Sequence, residues 1–280
     1  MITNHGLHHW DVVPGLPDTG GQNVFVNDMS QALADLGHQV TIVNRGGFPD
    51  PMTGQARQGV LENGDNQRII YLDDGLPEFV RKEDMAERIP FLTPALDLAL
   101  EDSAPVELII SHYWDGAALG VEFNKTLGKP VTHIWIPHSL GVIKKENLPQ
   151  DQWEGLRLDE RLENEKALLT ELDGVGSTSA LISDKLRNDY DYAGRLLFLP
   201  PCVDQERYFA REVGRDDEIW HFLSQHSGLL PEEIRGSKIV SEISRTAITK
   251  RKDVLLKAFA LVLQRLPNAF LVATIDEEQT

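Results

Sequence analysis

The chain has 280 residues, of which 41% are hydrophobic and 25% charged, a composition typical of a globular protein. Its 27 basic and 44 acidic residues give a net charge of −17, which argues against general binding to nucleic acid or to an anionic membrane. No apolar run reaches the length of a membrane span, and we expect no signal peptide. The single cysteine, Cys202, excludes an internal disulfide and a cysteine-based zinc site, and it fits a cytoplasmic protein.

The first 200 residues alternate between short strand-like runs and runs with helical spacing. The predicted strands span residues 1–4, 39–43, 68–72, 107–111, 131–136, 174–177 and 196–199. A first helix is predicted after Gly20-Gly21, ending at Gly37, and the further predicted helices span residues 89–101, 117–127, 152–172 and 180–190. This alternation predicts an α/β fold with a mostly parallel sheet, a Rossmann-like domain over residues 1–200.

Pro200-Pro201 marks a predicted hinge. Beyond it the predicted elements are a helix over 216–225, a strand over 238–243, a helix over 253–266 and a strand over 269–275. We expect residues 201–236 to form a hinge with a connecting helix and residues 237–280 to begin a second Rossmann-like domain. One βαβ unit is too small to bury a core, and the first strand is short. We therefore expect the chain to be a fragment or a shortened reading frame.

The glycine pair Gly20-Gly21 follows the first predicted strand and opens the first predicted helix. Ligands of open α/β sheets bind at the carboxyl ends of the strands, where glycines allow close approach and helix amides attract anions. The alternative is a flexible loop that simply ends in a helix. The segment lacks the dinucleotide-binding glycine fingerprint, and Asn44-Arg45 stand where an oxidoreductase of this fold would carry an acidic residue.

Two histidines follow consecutive predicted strands: His112 comes after the strand over 107–111 and His138 after the strand over 131–136. One such histidine is usually structural, but two at neighbouring carboxyl ends favour a shared crevice. His5, His8, His9 and His112 also raise the possibility of a metal site. No histidine or carboxylate lies at a familiar ligand spacing, so we expect no bound metal.

Four cations lie within eight residues of the turn before the last predicted helix: Arg245, Lys250, Arg251 and Lys252. A helix N-terminus disfavours cations, so this cluster indicates an anion, for which a phosphate or diphosphate is suited. The alternatives are a solvated basic loop and pairing with nearby acidic residues.

Three further features are weak evidence for a functional site when each is taken alone. Lys82 and Lys144 would be interpreted as surface lysines. Arg161, Glu163 and Glu165 share a predicted helix at spacings of two, which do not share a face, so this segment predicts a solvated helix surface.

Together these motifs resemble the retaining glycosyltransferases of the sucrose-phosphate synthase group, which includes sucrose synthase and mannosylfructose-phosphate synthase. The resemblance covers nearly the whole chain. The matching segments are His5-Gly6-Leu7 with Asp18-Thr19-Gly20-Gly21-Gln22, His112-Tyr113 with Asp115-Gly116, His138-Ser139-Leu140-Gly141 with Lys144, Arg161-Leu162-Glu163-Asn164-Glu165, and Ser244-Arg245 with Lys250.

The resemblance implies a two-domain fold of the glycosyltransferase B type, with a nucleotide sugar, expected to be UDP-glucose, held between the domains. By this likeness His138 is the catalytic residue that contacts the transferred sugar. The donor-binding residues would be Gly20, Gly21, Arg245 and Lys250. The residues that bind a sugar or sugar-phosphate acceptor such as fructose 6-phosphate would be Gln22, Lys82, His112, Ser139, Lys144 and Arg161. Arginine and lysine would supply the charge that the leaving diphosphate needs, so no metal or other cofactor is expected.

The resemblance has one departure. The family's acidic motif, two glutamates eight positions apart, would come after Ile275, and the adjacent Glu277 and Glu278 do not replace it. We therefore expect the isolated chain to transfer sugar weakly or not at all. The alternatives are a non-catalytic chain that binds a sugar phosphate or a partner subunit, and an oxidoreductase. The donor base, the acceptor and the oligomeric state stay open.

Overall fold

The computed structural model describes residues 1–13, 16, 18–203, 206, 208–244, 246 and 250–275. It divides into two compact units, Met1–Val203 and Asp204–Thr280. In the described residues no helix combines the length and apolar character needed to cross a membrane.

The first unit is built on a sheet whose middle is the opening segment of the chain. On one side lie β1 (Val40–Arg45), β3 (Gln67–Leu72) and β2 (Gly59–Asn63), in that order. On the other lie β4 (Leu108–His112), β5 (Thr132–Ile136), β6 (Gly174–Ser177) and β7 (Leu196–Phe198). Ile2 bridges Val43 and Ser111, so the opening segment joins the two halves.

The sheet is parallel except for β2, which pairs antiparallel to β3. The sequence predicted every parallel strand within about two residues, but the opening strand is reduced to the bridge at Ile2. It did not predict β2, a largely exposed edge strand with little apolar patterning.

Helices connect these strands. They are α1 (Gly21–Asp35), α2 (Ile89–Leu100), α3 (Tyr113–Thr126), α4 (Gly141–Asn147), α5 (Leu158–Leu168) and α6 (Ala180–Asn188), with 3₁₀ turns at Lys82–Arg88 and Gln150–Gln152. Gly37, at φ +89°, follows the end of α1 as predicted. Two predictions were wrong. Helix α3 begins at Tyr113 rather than residue 117, and the segment 152–172 contains a shorter helix that begins at Leu158.

Helix α3 lies at the centre of the first unit because it contributes to both of its large apolar clusters. Ala117 and Val121 pack into the cluster that contains the fully buried Trp135. Leu119 and Phe123 pack into the cluster that contains Ile2 and α2. The opposite sides of one helix are therefore both buried, and the first turn of α3 is held firmly against the end of β4.

The second unit contains α7 (Glu218–Ser227), α8 (Pro231–Arg235), β8 (Lys238–Glu242), α9 (Lys252–Arg265) and β9 (Ala269–Ala273). Strands β8 and β9 pair in parallel, completing the predicted βαβ unit. The short helix α8 was not predicted. Its Ile234 is buried with Trp220 and Leu223 of α7, and Phe270 and Val272 of β9 pack against them.

Candidate functional site

Polar side chains gather at the carboxyl ends of the opening segment, β4 and β5. Residues 3–8 follow the opening segment, His112 is the last residue of β4, and His138 comes two residues after β5. These strands are neighbours in the sheet, so their ends lie at one edge. The structure therefore brings His112 and His138 to one edge of the sheet, as the order of the predicted strands implied.

A small pocket with a cavity volume of about 10 Å³ opens at this edge, and its lining includes Lys82, Tyr113, Lys144 and Arg161. The three cations come from separate segments: the 3₁₀ turn at Lys82–Arg88, α4 and α5. Lys144 Nζ lies 3.1 Å from Tyr113 Oη, and Arg161 Nη1 also donates to that oxygen. Three of the residues assigned by resemblance to the acceptor therefore lie in one pocket.

Arg161 and Glu165 form a buried ion pair, which overturns the prediction of a solvated helix surface. Arg161 is 4% exposed and Glu165 is fully buried. Arg161 Nε donates to Glu165 Oε1 at 2.7 Å, because residues four apart on a helix do share a face. The relevant spacing was four rather than two, and Glu163 is exposed.

Ser139 and Glu165 fix the position of the Arg161 guanidinium. Arg161 Nη2 donates to the Ser139 carbonyl at 2.7 Å and to its hydroxyl at 3.1 Å. Glu165 also accepts from the amide of Gly141 at 2.9 Å and from the Tyr190 hydroxyl. The arginine is therefore preorganised by the loop after β5.

Lys82 is paired with Asp18, a residue of the loop before α1. Burial opposes the charge on Lys82, but the hydrogen bond and the charge of Asp18 outweigh it and raise its pKa. Burial likewise opposes the charge on Asp18, yet Lys82 and His5 lower the pKa of that carboxyl. Both groups are therefore charged at neutral pH.

The backbone is strained at three residues of the site. Asp18, Tyr113 and His138 have φ values of +49°, +64° and +54°. This left-handed region is unfavourable for bulky side chains and is frequently retained at functional sites. At Tyr113 it turns the chain from β4 directly into α3 and directs the ring against Arg161, whose guanidinium carbon lies 4.3 Å from the ring centroid.

The two predicted histidines are in contact. His112 Nδ1 lies 2.9 Å from His138 Nε2, and their rings stack at 5.2 Å with Phe25 of α1 at their edge. Burial, and secondly the charge of His5, lower the pKa of His138 to about 3. Burial and His138 lower the pKa of His112 well below its usual value. Both imidazoles are therefore neutral at physiological pH.

Gly20 and Gly21 lie where the sequence placed them, at the start of α1. The Gly20 amide donates to Asn23 Oδ1 at 2.9 Å. Gly21 is exposed, and a Cβ added there would meet no described atom within 4 Å. Gln22 Nε2 donates to Thr3 Oγ1 at 3.2 Å, which ties the helix start to the opening segment.

In the cationic turn of the second unit, Arg245 lies outside the described residues. Lys250 is exposed. Lys252 Nζ pairs with Glu242 Oε2 at 2.7 Å, and Arg251 Nε with Asp253 Oδ1 at 3.3 Å. Two of the four cations thus pair with acidic residues, one of the alternatives that the sequence left open.

Several residues of the site were not singled out from the sequence for a role of their own. Tyr113 and Asp115 belonged to a quoted motif, but nothing in their spacing shows that one ring receives two cations. Asp115 is fully buried and binds His5, whose Nδ1 lies 2.9 Å from Asp115 Oδ1. The signal in the sequence for Asp115 was a carboxylate that comes shortly after a predicted strand.

A model described as Glycosyltransferase Family 4 matches residues 19–207. The chain is similar to mannosylfructose-phosphate synthase from Agrobacterium fabrum, with 26% identity over 100% of this chain and 61% of the relative. It is also similar to D-inositol 3-phosphate glycosyltransferase 2 from Catenulispora acidiphila, with 27% identity over 91% of this chain and 56% of that protein.

Among solved structures, sucrose-phosphate synthase from Thermosynechococcus elongatus superposes with a TM-score of 0.76 at 24% identity, covering 100% of this chain and 63% of that one. The likeness confirms the predicted α/β fold of the glycosyltransferase B type. The chain spans about three fifths of the length of these relatives.

Proposed function

Because this chain belongs to Glycosyltransferase Family 4, we propose that it serves in transfer of a hexose from a nucleotide sugar to a phosphorylated sugar acceptor. The observation that carries the proposal is the convergence of Lys82, Lys144 and Arg161 on one pocket of the first unit. Three cations from three segments of a chain with a net charge of −17 are suited to one anion.

The pocket favours a phosphate in particular. Arg161 presents a planar guanidinium that Ser139 and Glu165 hold in place, and Lys82 and Lys144 are point charges beside it. In this assignment these groups, with Gln22 and His112 nearby, bind the acceptor. The names of the relatives fit it, since mannosylfructose-phosphate synthase and D-inositol 3-phosphate glycosyltransferase 2 both refer to phosphorylated compounds.

The donor would lie at the start of α1, beside the half-buried Gly20 and the exposed Gly21, where the first turn of the helix attracts the anionic diphosphate. His138 would contact the transferred sugar as a neutral hydrogen-bonding group, since with a pKa of about 3 its imidazole is uncharged at neutral pH. Arg245 and Lys250 of the second unit would neutralise the leaving diphosphate. UDP-glucose is the donor that we would test first.

The chemistry requires positive charge where the departing diphosphate becomes negative. The anomeric C–O bond breaks with its electron pair going to the diphosphate, and the acceptor hydroxyl forms the new bond and loses its proton. A sugar phosphate anchored by its phosphate would present this hydroxyl at a fixed distance from the cationic pocket, which supplies the orientation on which rate depends.

Calorimetric titration of the chain with fructose 6-phosphate and D-inositol 3-phosphate tests the acceptor assignment. Replacing Lys144 with methionine removes one charge-assisted contact, so we expect affinity to fall about 10- to 100-fold. Lys145→Met is the matched control, because its ammonium pairs with Asp159 and lies over Trp153, outside the pocket lining. Equal affinity of the wild type and Lys144→Met for whichever sugar phosphate binds, or no binding of either compound, would contradict the proposal.

A second titration with UDP separates transfer from simple sugar-phosphate binding. Binding of both UDP and a sugar phosphate supports the glycosyltransferase assignment. Binding of the sugar phosphate alone would favour the alternative of a non-catalytic sugar-phosphate-binding chain.

A further inference from the structure

His112 has a buried ring that is bonded on one side only. The residue is fully buried at the end of β4. Its Nδ1 lies 2.9 Å from Nε2 of His138, and the planes of the two rings differ by 27°. Its other ring nitrogen, Nε2, is buried and has no partner among the described residues. A fully buried side chain is shielded from ligands, so His112 can act on a ligand only through His138.

The contact between the two imidazoles uses one proton. Both rings are neutral at physiological pH, and a neutral ring has one protonated nitrogen and one lone pair. In one arrangement His112 Nδ1 donates to His138 Nε2, and His112 Nε2 keeps a buried lone pair. In the other arrangement His138 Nε2 donates, and His112 Nε2 carries a buried N–H group without an acceptor. Orphaned buried N–H groups are rarer in proteins than under-satisfied acceptors, so the first arrangement is favoured.

The first arrangement leaves His138 with its proton on Nδ1. Because Nε2 of His138 accepts from His112, the neutral ring carries its proton on the other nitrogen. Within the described part of the chain no hydrogen bond to His138 Nδ1 is formed, and this atom is not among the fully buried polar atoms that lack a partner. His138 therefore presents an accessible N–H donor.

Backbone pairing and packing hold both rings in place. The His112 amide donates to the Ile2 carbonyl at 2.9 Å, and His112 pairs with Ile136 in the register of β4 and β5. The ring of Phe25 lies 5.0 Å from the ring of His138 and 6.1 Å from that of His112. Phe25 belongs to α1, one turn after its start. His138 therefore lies against the helix whose start is the proposed donor site.

We infer that His112 is a positioning residue whose Nδ1–H group fixes the tautomer of His138, so that His138 binds the transferred sugar by donating a hydrogen bond from Nδ1 to a sugar oxygen. This inference rests on the proposed function, and it replaces the acceptor contact that the resemblance implied for His112. Because Nδ1 of His138 can donate but not accept, it selects a sugar that has an oxygen at this position. A sugar without that oxygen would leave a desolvated N–H group unpaired and would bind less tightly.

Nitrogen NMR of the chain labelled with ¹⁵N-histidine tests the tautomers without requiring turnover. Long-range proton–nitrogen spectra distinguish protonated from lone-pair ring nitrogens, and His112→Asn and His138→Gln identify the two sets of signals. In both rings we expect Nδ1 to be protonated and Nε2 to carry the lone pair. Saturating UDP-glucose should shift the Nδ1 signal of His138, whereas UDP, which lacks the sugar, should leave it in place.

Two substitutions of His112 separate positioning from packing. Leucine has no polar side-chain atom, so in His112→Leu we expect the His138 signals to show a mixture of both tautomers. Affinity for UDP-glucose should then fall about 3- to 10-fold, the value of one hydrogen bond, while affinity for UDP stays unchanged. His112→Asn keeps an amide donor near the position of Nδ1, so it should retain the wild-type tautomer of His138 and the wild-type affinity. His38→Gln, a change at an exposed histidine after α1, is the control.

The outcomes separate this inference from the function on which it rests. A proton on Nε2 of His138 in the wild type, or UDP-glucose that binds without moving the His138 signals, would overturn the role of His112 and leave the donor assignment intact. Equal affinity of the wild type and His112→Leu for UDP-glucose would also overturn it. If His112→Leu does not fold, the tautomers of the wild type and of His112→Asn decide. Failure of both UDP and UDP-glucose to bind the wild type would overturn the donor assignment together with this inference.

Discussion

The cationic pocket and the pair formed by His112 and His138 lie at the same edge of one sheet. The pocket carries positive charge, whereas both imidazoles are neutral. In the pocket, Lys82 and Arg161 are largely withdrawn from solvent but remain charged, because Asp18 and Glu165 pair with them. In the histidine pair, His112 and His138 have no such carboxylate partner in the described residues, and burial keeps both rings neutral. Burial therefore does not determine charge at this site; the presence of a carboxylate partner does.

The two regions are suited to different tasks. Fixed positive charge is suited to holding an anion throughout a reaction. Neutral imidazoles can instead donate hydrogen bonds to sugar hydroxyls, or accept hydrogen bonds from them, without attracting an anion. Substitutions that alter one region at a time should separate these tasks, and the largest effect is expected at the buried ion pair.

Removing the carboxylate that supports Arg161 should destabilise the chain most. In Glu165→Gln the buried guanidinium loses its ion-pair partner, and the Gly141 amide loses a charged acceptor. We expect the free energy of unfolding to fall by about 3–5 kcal/mol, measured by urea denaturation. Glu163→Gln, an exposed residue of the same helix, should change it by less than about 0.5 kcal/mol. Equal effects of the two substitutions would show that the Arg161–Glu165 pair is unimportant for stability.

The neutral histidines should make the fold sensitive to acid. The pKa of His138 is lowered from 6.5 to about 3 by burial and by His5, so below pH 6.5 the unfolded chain binds a proton that the folded chain does not. The stability present above pH 6.5 is therefore lost as the pH falls towards 3, by up to about 1.4 kcal/mol per pH unit. His8 and His133, with pKa values of about 3 and 4 caused mainly by burial, add to this loss.

Urea denaturation of the wild type and of His138→Gln at pH 7, 6 and 5 measures this contribution. Between pH 6 and 5 the free energy of unfolding of the variant should depend less steeply on pH, by about 1 kcal/mol per unit. Identical slopes would mean that His138 is protonated in the folded chain.

Neutralising Asp18 should have the smallest effect, on binding rather than on folding. An asparagine in its place tolerates the φ of +49° at this position and leaves Lys82 without its partner in the loop. A bound phosphate would then neither compete with the Asp18 carboxylate for Lys82 nor be repelled by it. We therefore expect Asp18→Asn to bind inorganic phosphate about three- to tenfold more tightly than the wild type does.

Glu122→Gln is the control for this change, since Glu122 pairs with the exposed Lys125 and neither residue lines the pocket. Calorimetry at constant ionic strength checks the result. Weaker binding to Asp18→Asn than to the wild type would place the phosphate away from Lys82.

The sequence predicted the sheet well because parallel strands buried on both faces are continuous apolar runs, such as Ile134 to Ile136. It also predicted that His112 and His138 lie close together, since the carboxyl ends of neighbouring parallel strands meet at one edge of the sheet. The edge strand β2 and the short helix α8 were missed because each has few apolar side chains to mark its period.

Local spacing in the sequence could not predict contacts between residues that lie far apart in the chain. Lys82 resembled a surface lysine because its partner, Asp18, lies 64 residues earlier in the sequence. Arg161 and Glu165 could have been recognised as a helical pair from their spacing of four, but their burial depends on Tyr190 and the loop after β5. The resemblance to a known family supplied the grouping that the local pattern could not.

A crystal structure of the chain bound to fructose 6-phosphate, or to D-inositol 3-phosphate if only that compound binds, tests the account most directly. We predict that the phosphate lies within about 3.5 Å of both Lys144 Nζ and the Arg161 guanidinium. A phosphate bound elsewhere on the first unit, with the Tyr113 hydroxyl still holding both cations, would contradict the central claim that this pocket binds the acceptor.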